Sequence, residues 1–293
     1  MKPAAFAYHR PESVAEALGL LAELDDAKIL AGGQSLMAMM NYRYLTPEHL
    51  IDINRIASLT DIAQVDGNLR IGAMVRQRDA QESPLIRARA PLMIEALALI
   101  GHLQTRNRGT IGGSLAHLDP AAELPAVFSA HDAILHLASA KNERTVPIGE
   151  WSQVFMTPDL RPDDLLVAIS LPLWPAGHGY AFAEMARRHG DFALVSAAVL
   201  VALDGQGRIS RAAIALIGVD MGPVRLGAAQ TMLAGQTPGA ALFEAAAQCA
   251  DQVAGIDDIH APRSYRRRLA VIYARRALEF ACARAGEPEH GHG

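Results

Sequence analysis

Apolar residues recur along this chain at two periods, and the switches between them divide it into elements. Ser13 and Glu16 form a capping box, and Val14, Ala17, Leu18 and Leu21 fall on one face, which predicts a helix. Asp25-Asp26 interrupts it, and the short run Lys28 to Ala31 reads as a buried strand. Leu36 to Met40 is apolar on all sides, and His49 to Ile53 reads as the strand that returns and closes a small α/β lobe near Arg55. From Thr60 the period becomes two: Asp61 to Val65 and Leu69 to Val75 flank Asp66-Gly67-Asn68, the signature of a hairpin. Helical segments broken at Pro84 and Pro91 follow and stop at Gly101, and Gln104 to Arg108 is a polar, basic approach to the next segment. Asp119 to His131 is predicted helical despite Pro125, with strands at Ile134 to Ala138, Arg144 to Ile148 and Leu165 to Leu171.

Leu171 to Gly179, with prolines at 172 and 175 and glycines at 177 and 179, is the best linker in the chain. Beyond it lie three strands, Tyr180 to Met185, Leu194 to Leu203 and Ile209 to Ile217, then helices over Leu226 to Leu233, Ala240 to Val253 and Ser264 to Ala283. In the last helix Leu269, Ile272, Tyr273, Ala277 and Phe280 form the predicted apolar stripe. The order of strands then helices predicts an α+β protein. Its predicted domains are 1–176, in subdomains of about 1–56 and 57–176, and 177–286, with 287–293 as a flexible tail.

Composition narrows the partners. The chain has 293 residues, 51% of them apolar, enough to bury two sizeable cores. A net charge of -4 and an aromatic content of 5% point away from nucleic acid as a partner, and no run approaches the roughly 20 apolar residues of a membrane span. Cys249 and Cys282 are too few for a disulfide framework or for a cluster held by this chain alone, which fits a reducing, cytoplasmic location.

The candidate chemistry lies in two glycine pairs. Ala31-Gly32-Gly33-Gln34-Ser35 follows a predicted strand, where residues without a Cβ expose successive N–H groups to an anion. Gly109-Thr110-Ile111-Gly112-Gly113-Ser114 repeats the pattern, and two such loops suit a dinucleotide pyrophosphate. The first pair taken alone is equally well a tight strand-to-helix turn; the second, with polar side chains at both ends and an acidic helix start at Asp119 soon after, shifts the balance. Neither is G-x-G-x-x-G, and no Gly-Lys-Ser/Thr follows, so the Rossmann and P-loop forms of phosphate binding are excluded. His117 has no ligand spacing of a known metal site with His102 or Asp119, and Met37, Met39 and Met40 read as core filler. Arg263, Arg266, Arg267, Arg268, Arg275 and Arg276 read as a solvated helix face, with docking of an acidic partner subunit as the sharper alternative.

Four motifs in order, Ala31 to Ser35, Thr110 to Gly113, Asp119-Pro120-Ala121-Ala122-Glu123-Leu124-Pro125 and Arg187-Arg188-His189-Gly190-Asp191-Phe192-Ala193, resemble the FAD-binding medium subunit of the molybdenum hydroxylases. That family includes xanthine dehydrogenase and aerobic carbon monoxide dehydrogenase, and the resemblance covers nearly the whole chain. It implies a vanillyl-alcohol-oxidase (PCMH)-type FAD-binding domain of two subdomains and a smaller C-terminal α/β domain of three-stranded sheet and helices. It places Ala31, Gly32, Gly33, Gln34, Ser35 and Leu36, with Thr110, Ile111, Gly112, Gly113 and Ser114, along the FAD pyrophosphate. His117 becomes a loop histidine near the flavin, Glu123 the carboxylate on the ribose or ribityl hydroxyls, and Asp191 and Phe192 a segment with the aromatic over one flavin face. Glu123 replaces the family's usual Asp, Ser114 its usual Asn and Leu118 a small residue. The implied partners are a large molybdenum-cofactor subunit and a small subunit with two [2Fe-2S] clusters, in a dimer of heterotrimers. No residue of this chain is then a catalyst. The alternative classes are a free-standing FAD-dependent oxidoreductase and a nucleotide-binding module without redox function.

Overall fold

A computed structural model describes residues 1–286, so the tail predicted from 287 lies outside the described residues. The first lobe is a parallel three-stranded sheet. Strand β1 (Ala7–His9) is followed by helix α1 (Val14–Glu23), β2 (Ala27–Leu30), helix α2 (Leu36–Asn41) and β3 (His49–Asp52), in the order β1-β3-β2. Ser13 caps α1 by accepting from the Glu16 N–H, and the Glu16 carboxylate accepts in turn from the Glu12 N–H. β1 has no apolar period to announce it and is held by parallel pairing with β3. Of the three methionines expected in the core, only Met40 is buried, because α2 lies at the surface with Met37 and Met39 half exposed.

The second lobe opens with the expected hairpin, β4 (Ile62–Val65) and β5 (Asn68–Gly72), turned by Asp66 and Gly67 at φ of 47° and 74°. Helices α3 (Gln77–Glu82), α4 (Pro84–Arg89), α5 (Pro91–Leu99), α6 (Leu103–Arg108), α7 (Ile111–His117) and α8 (Glu123–Ala130) follow. The polar approach at 104–108 is therefore helical, and α6 buries none of its residues, so no apolar period marked it. The predicted helix from Asp119 starts only at Glu123, with Pro125 in the first turn, where its missing N–H leaves no internal bond unmade. Strands β6 (Ile134–Ala138) and β7 (Glu143–Pro147) precede helix α9 (Ile148–Trp151) and the small hairpin β8 (Ser152–Val154) and β9 (Thr157–Pro158). β10 (Leu165–Pro172) then enters the middle of an antiparallel sheet of order β4-β5-β10-β6-β7.

The C-terminal sheet is β11 (Gly179–Ala186), β12 (Ala193–Leu203), β13 (Ile209–Ile217) and a short fourth strand, β14 (Val224–Arg225), added to the three expected. Helices α10 (Gly227–Leu233), α11 (Ala240–Gln248) and α12 (Arg263–Arg284) follow. β12 is buried from Ala193 to Ala202, which explains its unbroken apolar run. Its Ala198, Leu200 and Ala202 join the core around α8, itself buried at every position, while Val195, Ala197, Val199 and Val201 join the core under α12. The two domains thus share one of their cores. Helix α12 reaches this sheet with Leu269, Ala270, Ala274, Ala277, Leu278 and Ala281; of the predicted stripe Leu269 and Ala277 are buried and Tyr273 packs against them part-buried, while Phe280 is 58% exposed. Small residues are needed because a Cβ on Gly179 would lie 1.7 Å from the Ala281 carbonyl oxygen. Arg266 is likewise no solvated residue: it is buried, donating to the Leu194 and Gly218 carbonyls and pairing with Asp258 at 2.6 Å. Among the described residues no helix is long and apolar enough to cross a membrane.

The shared core predicts that Leu200→Ala costs about 2–5 kcal/mol and shifts a single denaturant transition. Two transitions, with only one displaced, would contradict it.

Candidate FAD site

The two glycine segments meet. A Cβ on Gly32 would lie 2.4 Å from the Arg108 carbonyl oxygen and 2.8 Å from the Gly109 Cα, so the first segment rests backbone to backbone on the second. An added Cβ on Gly113 would lie 2.7 Å from Thr110 Oγ1 and in ordinary contact, 3.6 Å, with the Ala31 Cβ, and one on Gly112 2.6 Å from the Ala73 Cβ. These glycines are required for close approach; in the two segments only Gly33, at φ 72°, needs left-handed backbone as well.

Their donors differ. In the second segment the Ile111 N–H donates to Val75 O at 3.0 Å, Gly112 to Ala73 O at 2.8 Å, Gly113 to Thr110 Oγ1 at 3.0 Å and Ser114 to Thr110 O at 3.2 Å. The expected loop from Thr110 to Ser114 is thus the capped start of α7; the N–H groups of Ile111 to Ser114 are engaged, while among the described residues no protein acceptor takes that of Thr110. In the first segment, Gly33 O and Ser35 O accept from Met37 and Met39, and Ala31 O from Asn54 Nδ2 at 2.9 Å. Among the described residues, however, no protein acceptor takes the N–H groups of Gly32, Gly33, Gln34 or Ser35. Four successive unclaimed donors around a left-handed glycine make an anion-binding nest. The Gln34 side chain bends back to Gly32 O at 3.3 Å, and Leu36 begins α2.

His117 lies in the last turn of α7 rather than in a loop, and burial lowers its pKa, leaving a neutral imidazole at pH 7. The next residue, Leu118, closes the helix at φ 50°, a left-handed conformation unusual for leucine. Glu123 opens the buried helix α8, and burial, reinforced by Glu184, raises its pKa to about 8. Glu184, on β11 of the C-terminal domain, accepts from Ser196 Oγ at 2.9 Å and is itself raised by burial to about 7. Two protonatable carboxyls from different domains therefore influence each other electrostatically, a coupling invisible at 61 positions' separation.

Asp191 and Phe192 lie between β11 and β12. Gly190 stands against His102, whose Cε1 would be 2.5 Å from an added Cβ, Asp191 reaches Arg187 at 3.9 Å, and Phe192 is 69% exposed. His102 precedes α6 and Gly109 follows it, so six helical residues, about 9 Å of rise, separate this segment from the glycine pairs. A cleft of about 160 Å³ beside it is lined by Leu99, Glu184, Ala186, Arg188, His189 and Gly190. The site is elongated, with anion donors at one end and an exposed aromatic towards the other.

Comparison with known proteins identifies the family. The family described as the FAD binding domain in molybdopterin dehydrogenase matches residues 4–174, and the CO dehydrogenase flavoprotein C-terminal domain matches residues 180–281. The chain belongs to the FAD-binding subunits of the molybdenum hydroxylases. It is 42% identical over 289 residues to the 6-hydroxypseudooxynicotine dehydrogenase complex subunit alpha of Paenarthrobacter nicotinovorans, covering 97% of each chain. To the carbon monoxide dehydrogenase medium chain of Hydrogenophaga pseudoflava it is 39% identical over 287 residues, 97% of this chain and 99% of the other. A solved structure of carbon monoxide dehydrogenase from that organism, lacking the Mo-pyranopterin moiety, superposes with a TM-score of 0.94 at 39% identity, covering 97% of this chain and 100% of the other. The FAD subunit is thus a flavoprotein component of an oxidoreductase, with the predicted FAD domain followed by the smaller C-terminal domain.

The buried carboxyls make a pH prediction. The folded protein keeps protons on Glu123 and Glu184 that the unfolded chain releases near the ordinary 4.5. The penalty for burying them is therefore absent below that pH, grows as pH rises and is complete above about pH 8. Glu123→Gln should raise the melting temperature of FAD-free protein more at about pH 9 than at about pH 4.5, read by thermal denaturation; an equal shift at both would contradict the assignment.

Proposed function

We propose that this chain is the electron-exit subunit of a molybdenum-containing hydroxylase. In that complex a large subunit carries the molybdenum cofactor that hydroxylates the substrate. Electrons from two [2Fe-2S] clusters on a small subunit leave through this chain's FAD to an external acceptor. The assembly is a dimer of heterotrimers in the cytoplasm, a location that suits the two free cysteines, Cys249 and Cys282.

The observation that carries this reading is the nest of unclaimed N–H groups from Gly32 to Ser35, backed by a second glycine segment whose N–H groups from Ile111 to Ser114 are engaged. The first segment binds the pyrophosphate and the second fixes the first in place. Gln34 and Ser35 add side-chain polar groups beside the anion, and Leu36 starts the helix behind it. Ile111, Gly112 and Gly113 act through packing, and Thr110 and Ser114 place hydroxyls at the start of α7. Glu123, protonated in its buried setting, can donate to as well as accept from a ribose or ribityl hydroxyl. His117 borders the cofactor as a neutral ring, and Asp191 and Phe192 lie at the flavin end, where the exposed aromatic covers one face. FAD supplies the redox chemistry, while protein groups bind and orient it. Relatives named as subunits or medium chains of dehydrogenases support the division of labour.

Gly32→Ala forces a Cβ into the Arg108 carbonyl and should weaken FAD binding at least about tenfold. Gly19→Ala, in open space on α1, should leave it unchanged. Flavin absorbance after gel filtration reads both, and full FAD occupancy in Gly32→Ala would contradict the nest. Capture of the chain from its host should bring molybdenum, iron and two further subunits. Oxidation of an organic substrate by the isolated FAD-loaded chain would instead make it a free-standing oxidoreductase.

A further inference from the structure

Arg76 lies where β5 runs into α3, and its guanidinium touches both glycine segments through different partners. Nη1 donates to the Arg108 carbonyl at 2.5 Å, the same carbonyl on which Gly32 rests. Nη2 donates to Asn54 Oδ1 at 2.5 Å, and Asn54 Nδ2 donates to Ala31 O at 2.9 Å. One fork therefore ties the residue before Gly109 to the residue before Gly32. The chain of bonds extends to the first sheet, where Asp52 accepts from the Asn54 N–H at 2.9 Å and from Tyr8 Oη at 2.5 Å. Burial pushes the Asp52 carboxyl up, but the bonds from Tyr8 and Asn54 outweigh it and hold the pKa below the usual range, so the relay ends on an anion.

The charge of Arg76 is used unusually. Among the described residues it has no carboxylate within ion-pair distance, although it is half buried; the like charge of Arg108 acts on it, offset from beyond that distance by Asp79 and Asp52. A guanidinium in this setting serves as a two-pronged donor of fixed shape, which a lysine ammonium cannot reproduce.

We infer that Arg76, acting through Asn54, is a positioning residue that sets the spacing of the two glycine segments and so shapes the nest for the dinucleotide pyrophosphate. The inference rests on the FAD reading above. Arg76 need not touch the cofactor; it determines where the Ala31 carbonyl, and with it the N–H groups of Gly32 to Ser35, are held relative to Gly109.

The test is a double-mutant cycle on the full chain, stripped of flavin and titrated with FAD and separately with ADP, which carries the pyrophosphate without the flavin. Arg76→Met and Asn54→Ala should each weaken both ligands about tenfold or more. The double variant should be no weaker than the worse single one, because both break the same relay. Arg76→Lys keeps the charge but loses the fork and should stay at least about fivefold weak. Asn54 Nδ2 also donates to Asp52 Oδ1 at 2.5 Å, so a carboxylate at position 54 would meet a like charge; Arg76→Lys, which keeps a cation at the site, therefore serves if Arg76→Met does not fold. Multiplying effects in the double variant or wild-type affinity in Arg76→Lys would each overturn the relay. Failure of the unmutated chain to bind FAD would instead sink the cofactor reading itself.

Discussion

The architecture of the FAD-binding half turns on one contact too close for any side chain, the seating of Gly32 on the backbone of Arg108 and Gly109. Gly32 leaves the parallel sheet of the first lobe, and Gly109 lies between two helices of the second, so this contact joins the lobes where their backbones are bare. Everything around it preserves the approach. Gly109 rests on the Gln77 side chain, Gly112 on Ala73, and the Ile111 and Gly112 N–H groups are drawn to the Val75 and Ala73 carbonyls just past the end of β5. With the second segment secured, the first is left with the open donors.

The C-terminal domain packs directly on the FAD-binding half. Its sheet covers α8 with one face and α12 with the other, so the charge of Glu184 on β11 is felt at Glu123 at the start of α8. The link between the domains is also polar. Arg225 donates to the Ser129 carbonyl and pairs with Asp132 at 2.7 Å, and Arg284 pairs with Glu95 at 2.7 Å while donating to Tyr180 O. A linker rich in proline and glycine separates the domains along the chain, while their packing is continuous.

Local signals in the sequence had local consequences. Asp66-Gly67 specified its turn, Ser13 its cap, and the glycine pairs their segments, because each depends on a few neighbouring residues. What was hidden depended on partners far along the chain. β1 exists through pairing with β3; α6 buries none of its residues; and α12 presents alanines because Gly179 draws the sheet against it. The two glycine pairs look alike in sequence but differ in use, since the carbonyls of Ala73 and Val75 that engage the second pair lie just past the end of β5. Arg76, Asn54 and Glu184 carry no motif, and only their convergence marks them.

The division between an open nest and an engaged brace is tested most directly by amide hydrogen exchange, residue by residue, on the chain with and without FAD. The N–H groups of Gly32 to Ser35 should exchange rapidly in the free protein and become protected with FAD, while those of Ile111 to Ser114 should be protected in both states. Protection gained at Ile111 to Ser114 with none at Gly32 to Ser35 would contradict the account.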